Sequence, residues 1–227
     1  MSTHNHEAWR ELIADDGHRL NVFEAAPAPQ AEARGSVIVL QEIFGVNPHI
    51  QNVTRRLADA GYTAAAPALF DRYEKKVSLA YDAAGIAKGK EFIAGIDLDT
   101  ALRDVAAAVA RYQELGPVAV LGFCWGGSLA WLAAGRLPVA GAVAYYGGQI
   151  GVLLDSAPRR PVLTHFGEND VSIPPSVPAE VSQRFGTILN HVYPAGHGFN
   201  CDEREAFNAA CAAKAWRRTL GFLAGVV

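Results

Sequence analysis

The chain has 227 residues, of which 50% are hydrophobic and 19% are charged, and its formal net charge is -3 at pH 7. These values predict a packed globular protein with one domain over residues 1–227, of which residues 1–10 form a flexible N-terminal segment. The absence of a basic block argues against nucleic-acid and anionic membrane partners. No apolar stretch reaches the ~18 residues that a membrane span needs.

The polar N-terminus lacks the apolar region of a secretory signal, which predicts a cytoplasmic protein. The chain has three cysteines, Cys124, Cys201 and Cys211. This number is small and odd, which does not suit a disulfide framework, so we expect reduced thiols. Neither cysteines nor histidines show the CxxC or HExxH spacing of common zinc sites. We therefore predict no metal.

Short apolar runs alternate with segments of helical period, which predicts a mostly parallel sheet covered by helices on both faces. A turn at Asp16 and Gly17 predicts an initial hairpin at the sheet edge, with its second strand over 20–24. Further strands are predicted over 36–40, 63–66, 118–121, 140–145, 161–166 and 187–193. Helices are predicted over 49–60, 128–134 and 178–185, from 97 or 99 to about 115, and near the C-terminus. Residues 70–95 are expected to form a loop with a helix rather than a lid domain.

A Gly-x-Cys-x-Gly motif, Gly122 to Gly126, lies where a predicted strand ends and a helix begins. This is the setting of a nucleophile elbow, in which glycines allow a tight bend and the helix N-terminus favours a thiolate and a developing oxyanion. The motif predicts Cys124 as a nucleophile. The alternative is a buried cysteine among glycines.

An acid and a histidine follow the elbow, each after a predicted strand. Asp170 could accept the Nδ1–H of His197 and so direct the Nε2 atom of the ring towards Cys124. The chain order nucleophile, acid, histidine is that of the α/β-hydrolase fold. Glu168 is the competing carboxylate, and a turn aspartate or a loop histidine without a catalytic role is the alternative for each position.

The loop after the 36–40 strand contains Gln41 to Asn47, where the fold supplies an oxyanion-hole amide. We expect the backbone N–H groups of Ile43 and Trp125 to bind the oxyanion. Glu42 is unusual beside a nucleophilic sulfur, since its carboxylate could take the thiol proton but would repel a thiolate. The alternative interpretation of Glu42 is a solvated loop residue.

Four segments in this order and spacing, QEIFGVN, GFCWGG, GEND and AGHGF, resemble the dienelactone hydrolase family over about residues 22–223. The resemblance implies a three-layer α/β-hydrolase without a large lid domain, similar to carboxymethylenebutenolidase, that opens an enol-lactone to a keto acid without metal or organic cofactor. It also implies that Cys124 rests as a thiol hydrogen-bonded to Glu42. Substrate binding would then free the thiolate, and His197 would protonate the leaving enolate.

The resemblance further implies that Arg72 binds a substrate carboxylate. The family's second carboxylate-binding arginine is absent, because its position, four residues after His197, is Cys201, and Arg204 follows three residues later. Since a thiol cannot replace a guanidinium fork, the preferred substrate could differ from dienelactone.

Two functional hypotheses follow. The first is hydrolysis of a small lactone or ester, with or without a carboxylate group, through a Cys124 thioester, by a monomer or small homo-oligomer. The second keeps the fold but uses the thiol for binding or redox sensing, which a low thiolate pKa would also suit.

Overall fold

The computed structural model describes residues 6–28 and 33–227, and its centre is an eight-stranded sheet. The strands are β1 (His6–Ile13), β2 (Arg19–Ala26), β3 (Ser36–Leu40), β4 (Thr63–Pro67), β5 (Val118–Phe123), β6 (Gly141–Tyr145), β7 (Val162–Gly167) and β8 (Leu189–Tyr193). In space they follow the order β1-β2-β4-β3-β5-β6-β7-β8. The β1–β2 and β2–β4 pairs are antiparallel, and all other pairs are parallel.

The middle strands form the core of the molecule. Every residue of β3, β4, β5 and β6 is buried, as expected for parallel strands covered on both faces. Because these strands run in one direction, their carboxyl ends meet at one edge of the sheet. The loops that carry the predicted site residues begin at this edge.

Helices connect the strands. They are α1 (Pro48–Asp59), α2 (Ala83–Gly95), α3 (Leu98–Gln113), α4 (Trp125–Arg136), α5 (Ser176–Arg184) and α6 (Ala209–Val226). Asp97, one of the two predicted caps, begins α3 by accepting a 2.7 Å hydrogen bond from the Thr100 N–H. Within the described residues, no helix combines the length and apolar character needed to cross a membrane.

The predicted α/β architecture is confirmed, and the predicted strands agree with the observed ones to within a few residues. The segment 70–95 consists of the end of a 3-10 turn (Leu69–Arg72), a loop and α2, with no lid domain among the described residues. The start of α4 was predicted three residues too late. The sequence does not predict a helix over this turn because Gly126 and Gly127 have low helix propensity. Glycine is needed at both positions because the ends of the adjacent strands leave no room for a side chain.

The predicted flexible segment over residues 1–10 is wrong for residues 6–10, while residues 1–5 lie outside the described part of the chain. Residues 6–10 belong to β1 and pair in register with β2, from His6 opposite Ala26 to Arg10 opposite Val22. The polar sequence of β1 reflects its position at the sheet edge, where most of its side chains are exposed.

Candidate active site

Cys124 lies at a sharp turn between β5 and α4, with backbone angles φ 53° and ψ -115°. A positive φ is unfavourable for a residue other than glycine, so the surrounding structure must hold it. The Cys124 N–H donates a 2.9 Å hydrogen bond to the Tyr145 carbonyl at the end of β6. The side chain remains partly accessible at the carboxyl edge of the sheet.

The two glycines of the motif allow close backbone contacts. A Cβ atom on Gly122 would lie 1.9 Å from the Gly126 carbonyl oxygen, and one on Gly126 would lie 2.4 Å from the carbonyl oxygen of Leu40. No side chain fits at either distance. The elbow therefore packs directly against the end of β3.

His197 connects an acid to Cys124. Its Nδ1 atom donates a 2.7 Å hydrogen bond to Asp170 Oδ2, since an ionised carboxylate can only accept. The other carboxylate oxygen accepts the N–H groups of Ser172 at 2.8 Å and Ile173 at 3.2 Å, which fixes the Asp170 side chain. The His197 ring also interacts electrostatically with the Cys124 side chain. The structure thus brings these three predicted residues together, whereas Glu168 is exposed.

The surroundings of the His197 ring favour its protonated form. Burial alone would lower the pKa of His197, but the hydrogen bond to Asp170 and the interaction with Cys124 raise it to about 10. An imidazolium beside a sulfur favours the thiolate and can later donate its proton to a leaving group.

The two predicted amides belong to the elbow and to the loop after β3. Trp125 is the first residue of α4, where the N–H has no partner within the helix. Among the described residues, the Ile43 N–H, on the loop after β3, has no hydrogen-bond acceptor. Both groups are therefore free to donate to a bound oxygen.

Glu42 is fully buried, which excludes the alternative of a solvated loop residue. Its carboxylate accepts a 2.8 Å hydrogen bond from the Tyr81 hydroxyl and a 3.3 Å bond from Arg204 Nη1. Arg204 also interacts electrostatically with Cys124. Glu42 therefore lies in the Cys124 group, but its hydrogen bonds within the described structure go to Tyr81 and Arg204.

Tyr146, which sequence reasoning missed, also lies in this group. Its φ is 37°, its N–H donates to the His165 carbonyl at 2.7 Å, and its ring centre is 5.0 Å from that of His197. Its buried hydroxyl has no hydrogen-bond partner among the described residues. The position directly after β6, at the carboxyl edge of the sheet, was the signal that could have found it. Tyr81 lies in an irregular loop without such a signal.

Arg72 does not join the Cys124 group through its hydrogen bonds. Its Nε and Nη2 atoms each donate a 2.8 Å bond to the buried carboxylate of Asp104 on α3, and Nη1 donates a 2.9 Å bond to Asp16 in the β1–β2 turn. The Arg72 hydrogen bond holds the pKa of Asp16 at about 2. These contacts give Arg72 a structural role, and its role in substrate binding stays a prediction.

A cleft of about 420 Å³ borders the site, lined by Tyr81 and by Glu203 to Ala206, including Arg204. The Arg204 guanidinium also lies over the rings of Phe44 and Tyr81, at 5.7 and 5.5 Å from their centres. Two residues of this cleft, Tyr81 and Arg204, are the hydrogen-bond partners of the buried Glu42. A second cleft of about 430 Å³, lined by Trp9, Val77 and neighbouring residues, lies beside the β1–β2 hairpin.

The sheet topology, the elbow and the sequential order of Cys124, Asp170 and His197 define an α/β hydrolase. The model of the dienelactone hydrolase family matches residues 21–227. The carboxymethylenebutenolidase of Pseudomonas putida is 34% identical over 221 residues, 92% of either chain. The chain belongs to the dienelactone hydrolase family and is a carboxylic ester hydrolase, as the sequence motifs predicted.

Solved structures agree with this assignment. A Klebsiella pneumoniae structure described as a "putative dienelactone hydrolase" is 30% identical, has a TM-score of 0.82, and the alignment covers 97% of this chain and 99% of that one. A dienelactone hydrolase-like promiscuous phosphotriesterase from metagenomic libraries is 22% identical, with a TM-score of 0.78 and coverage of 97% and 98%. The latter likeness shows the shared fold.

Proposed function

We propose that this hydrolase cleaves a small lactone or ester through a thioester on Cys124. The observation that carries the proposal is the single imidazole of His197, which hydrogen-bonds to Asp170 through Nδ1 at 2.7 Å and interacts electrostatically with Cys124. This is the arrangement that activates a nucleophile and returns a proton to the leaving group.

In the first half of the reaction, the Cys124 sulfur attacks the carbonyl carbon, and the oxyanion accepts hydrogen bonds from the N–H groups of Ile43 and Trp125. The carbon–oxygen bond of the ester then breaks, and the leaving oxygen takes the proton from His197 Nε2. The acyl group remains on sulfur. In a lactone, the leaving oxygen stays attached to the acyl chain, so the ring opens.

In the second half, the neutral His197 takes a proton from water as the hydroxide attacks the thioester carbon. The carbon–sulfur bond breaks, the acid leaves, and the thiolate and imidazolium are restored. Asp170 keeps the ring oriented throughout, because its second oxygen is fixed by two backbone N–H groups.

We propose Arg204 as the cation that attracts a substrate carboxylate. Arg204 lines the cleft that also contains Tyr81, and its side chain is 21% exposed. Its partner Glu42 is a single carboxylate, so other N–H groups of the guanidinium remain available to a substrate. Glu42, beside the Cys124 group, would then exchange partners as an acidic substrate enters. The resemblance implies a proton transfer from a Cys124 thiol to Glu42. That step would come before the cycle described above, which begins with the thiolate, and it stays a prediction.

Replacing Cys124 with Ala tests the central proposal. Hydrolysis of a small activated ester should fall to the background rate because the sulfur that forms the proposed acyl intermediate is removed. Mass spectrometry of the wild type with a slow substrate should show one acyl group on Cys124. Cys211→Ala is the matched control, since Cys211 lies in the first turn of α6 outside the site, and it should retain the wild-type rate.

Hydrolysis that survives Cys124→Ala would refute the nucleophile assignment. A protein whose Cys124 reacts with peroxide while a panel of lactones and esters stays intact would instead support thiol redox sensing.

We also propose a cytoplasmic location, supported by three free thiols, a state that glutathione maintains in the cytosol. The oligomeric state, a monomer or a small homo-oligomer, stays a prediction.

A further inference from the structure

Three buried side chains with different donor atoms meet beside the candidate active site. Glu42 lies on the loop after β3, His49 in the first turn of α1, and Cys201 on the segment before α6. Their relative exposures are 0%, 1% and 0%. One ligand atom from each residue lies within 4.8 Å of those of the other two. An oxygen, a nitrogen and a sulfur therefore converge in a space without contact to bulk water.

His49 provides an independent sign of a ligand. Its Nε2 atom is buried and has no hydrogen-bond partner among the described residues. An unsatisfied buried polar atom is costly and calls for an explanation. On the opposite side of the ring, Nδ1 lies 3.5 Å from Asp202 Oδ1. With Nδ1 directed to Asp202, Nε2 is the nitrogen left to take a ligand.

The donor set selects a class of ion. Thiolate, imidazole and carboxylate together suit Zn²⁺ and similar thiophilic divalent ions rather than Mg²⁺ or Ca²⁺, which prefer oxygen ligands. Bond lengths of about 2.0 to 2.3 Å would bring the donor atoms to about 3.5 Å from one another. Side-chain adjustments of about an ångström would achieve this. One charge from the Glu42 carboxylate and one from the Cys201 thiolate would balance the dication once Arg204, now 3.3 Å from Glu42, gives up that contact.

We propose that Glu42, His49 and Cys201 form a binding site for a thiophilic divalent ion such as Zn²⁺. On binding, the sulfur–hydrogen bond of Cys201 breaks, its proton passes to solvent, and the sulfur binds the ion. Glu42 exchanges its contacts with Arg204 and Tyr81 for the metal. The proposal does not depend on the role of Cys124, and no step of the hydrolysis uses the ion.

The test uses the full-length Cys124→Ser protein, because the Cys124 thiol would otherwise bind metal as well. Cd²⁺ is titrated while the ultraviolet sulfur-to-cadmium charge-transfer absorbance is recorded, and Zn²⁺ affinity is measured by competition with a chromophoric zinc indicator. We expect one equivalent of metal and a charge-transfer band. Adding Cys201→Ser should abolish the band and weaken Zn²⁺ binding by about a hundredfold or more.

Two further variants complete the design. Cys211→Ser in the same background removes the other remaining thiol and should leave the band and affinity unchanged. His49→Gln keeps every thiol and should weaken Zn²⁺ binding by a similar factor, so the test remains decisive if Cys201→Ser does not fold. Circular dichroism checks the fold of each protein.

Absence of binding in the Cys124→Ser protein would overturn the proposal, as would a cadmium band that survives Cys201→Ser or an affinity that His49→Gln leaves unchanged. Because the readout is binding, these results stand apart from the ester-hydrolysis test of Cys124.

Discussion

At the scale of single residues, the most informative group is His197, whose pKa in the folded protein is about 10. A group with a higher pKa in the folded than in the unfolded state stabilises the fold fully below its unfolded pKa, near 6.5. That contribution is lost as the pH rises towards 10. The free energy of unfolding of the wild type should therefore decrease over this range.

Asp170→Asn should reduce this pH dependence, since it removes the charge and the acceptor that hold the His197 proton. Urea unfolding between pH 6 and 10 should show a shallower decrease for Asp170→Asn than for the wild type. Glu168→Gln, on the same loop but exposed, is the matched control and should follow the wild type. Parallel curves for Asp170→Asn and the wild type would contradict the assignment.

The candidate triad could be predicted because each member follows a strand, and the carboxyl ends of parallel strands share one edge of the sheet. The positions of the residues around the triad were harder to predict from the sequence. Tyr81 lies in a loop without a pattern, and the direction of the Arg72 side chain depends on Asp104, which is 32 positions away. Glu42, His49 and Cys201 likewise have no local spacing motif, so their proximity emerges only in three dimensions.

At the scale of elements, the contact between α4 and β3 depends on the absence of a side chain at Gly126. Gly126→Ala would place a methyl group 2.4 Å from the Leu40 carbonyl oxygen, and we expect a loss of about 3 kcal/mol in unfolding free energy. Gly221→Ala is the matched control in α6, where a Cβ atom meets nothing within 4 Å. It should stabilise the protein by about 0.5 to 1 kcal/mol. Urea unfolding measures both, and equal effects would contradict the packing argument.

Arg72 joins three elements: its own turn after β4, helix α3 and the β1–β2 hairpin. Arg72→Ala would leave the buried Asp104 carboxylate without its partner, so we expect a destabilisation of about 3 kcal/mol in urea unfolding. Arg103→Ala is the control, because Arg103 is half exposed and contacts the same hairpin at 3.5 Å. It should change stability by less than about 1 kcal/mol.

Ester-hydrolysis kinetics of the Arg72→Ala and Arg103→Ala proteins decide between a structural role and a substrate-binding role for Arg72. If its role is structural, Arg72→Ala should change KM equally for acidic and neutral esters. A rise in KM confined to acidic esters would assign it to substrate binding, as the family resemblance implied.

At the scale of the whole molecule, one sheet extends from β1 to β8, so we propose that residues 1–227 fold as one domain. The four tryptophans sample different regions: Trp9 lies in β1, Trp125 and Trp131 in α4, and Trp216 in α6. Thermal unfolding followed by tryptophan fluorescence and by far-ultraviolet circular dichroism should give coincident transitions. Two separate transitions would contradict a single domain.

Main-chain hydrogen bonds position the turn at Cys124. The Cys124 N–H donates to the Tyr145 carbonyl, and the Tyr146 N–H donates to the His165 carbonyl. None of these bonds involves the sulfur atom. The main chain of the sheet therefore sets the position of residue 124, whichever side chain is attached there. One nucleotide change, Cys124→Ser, would exchange sulfur for oxygen and alter the reactivity of the side chain while these main-chain hydrogen bonds keep their donors and acceptors.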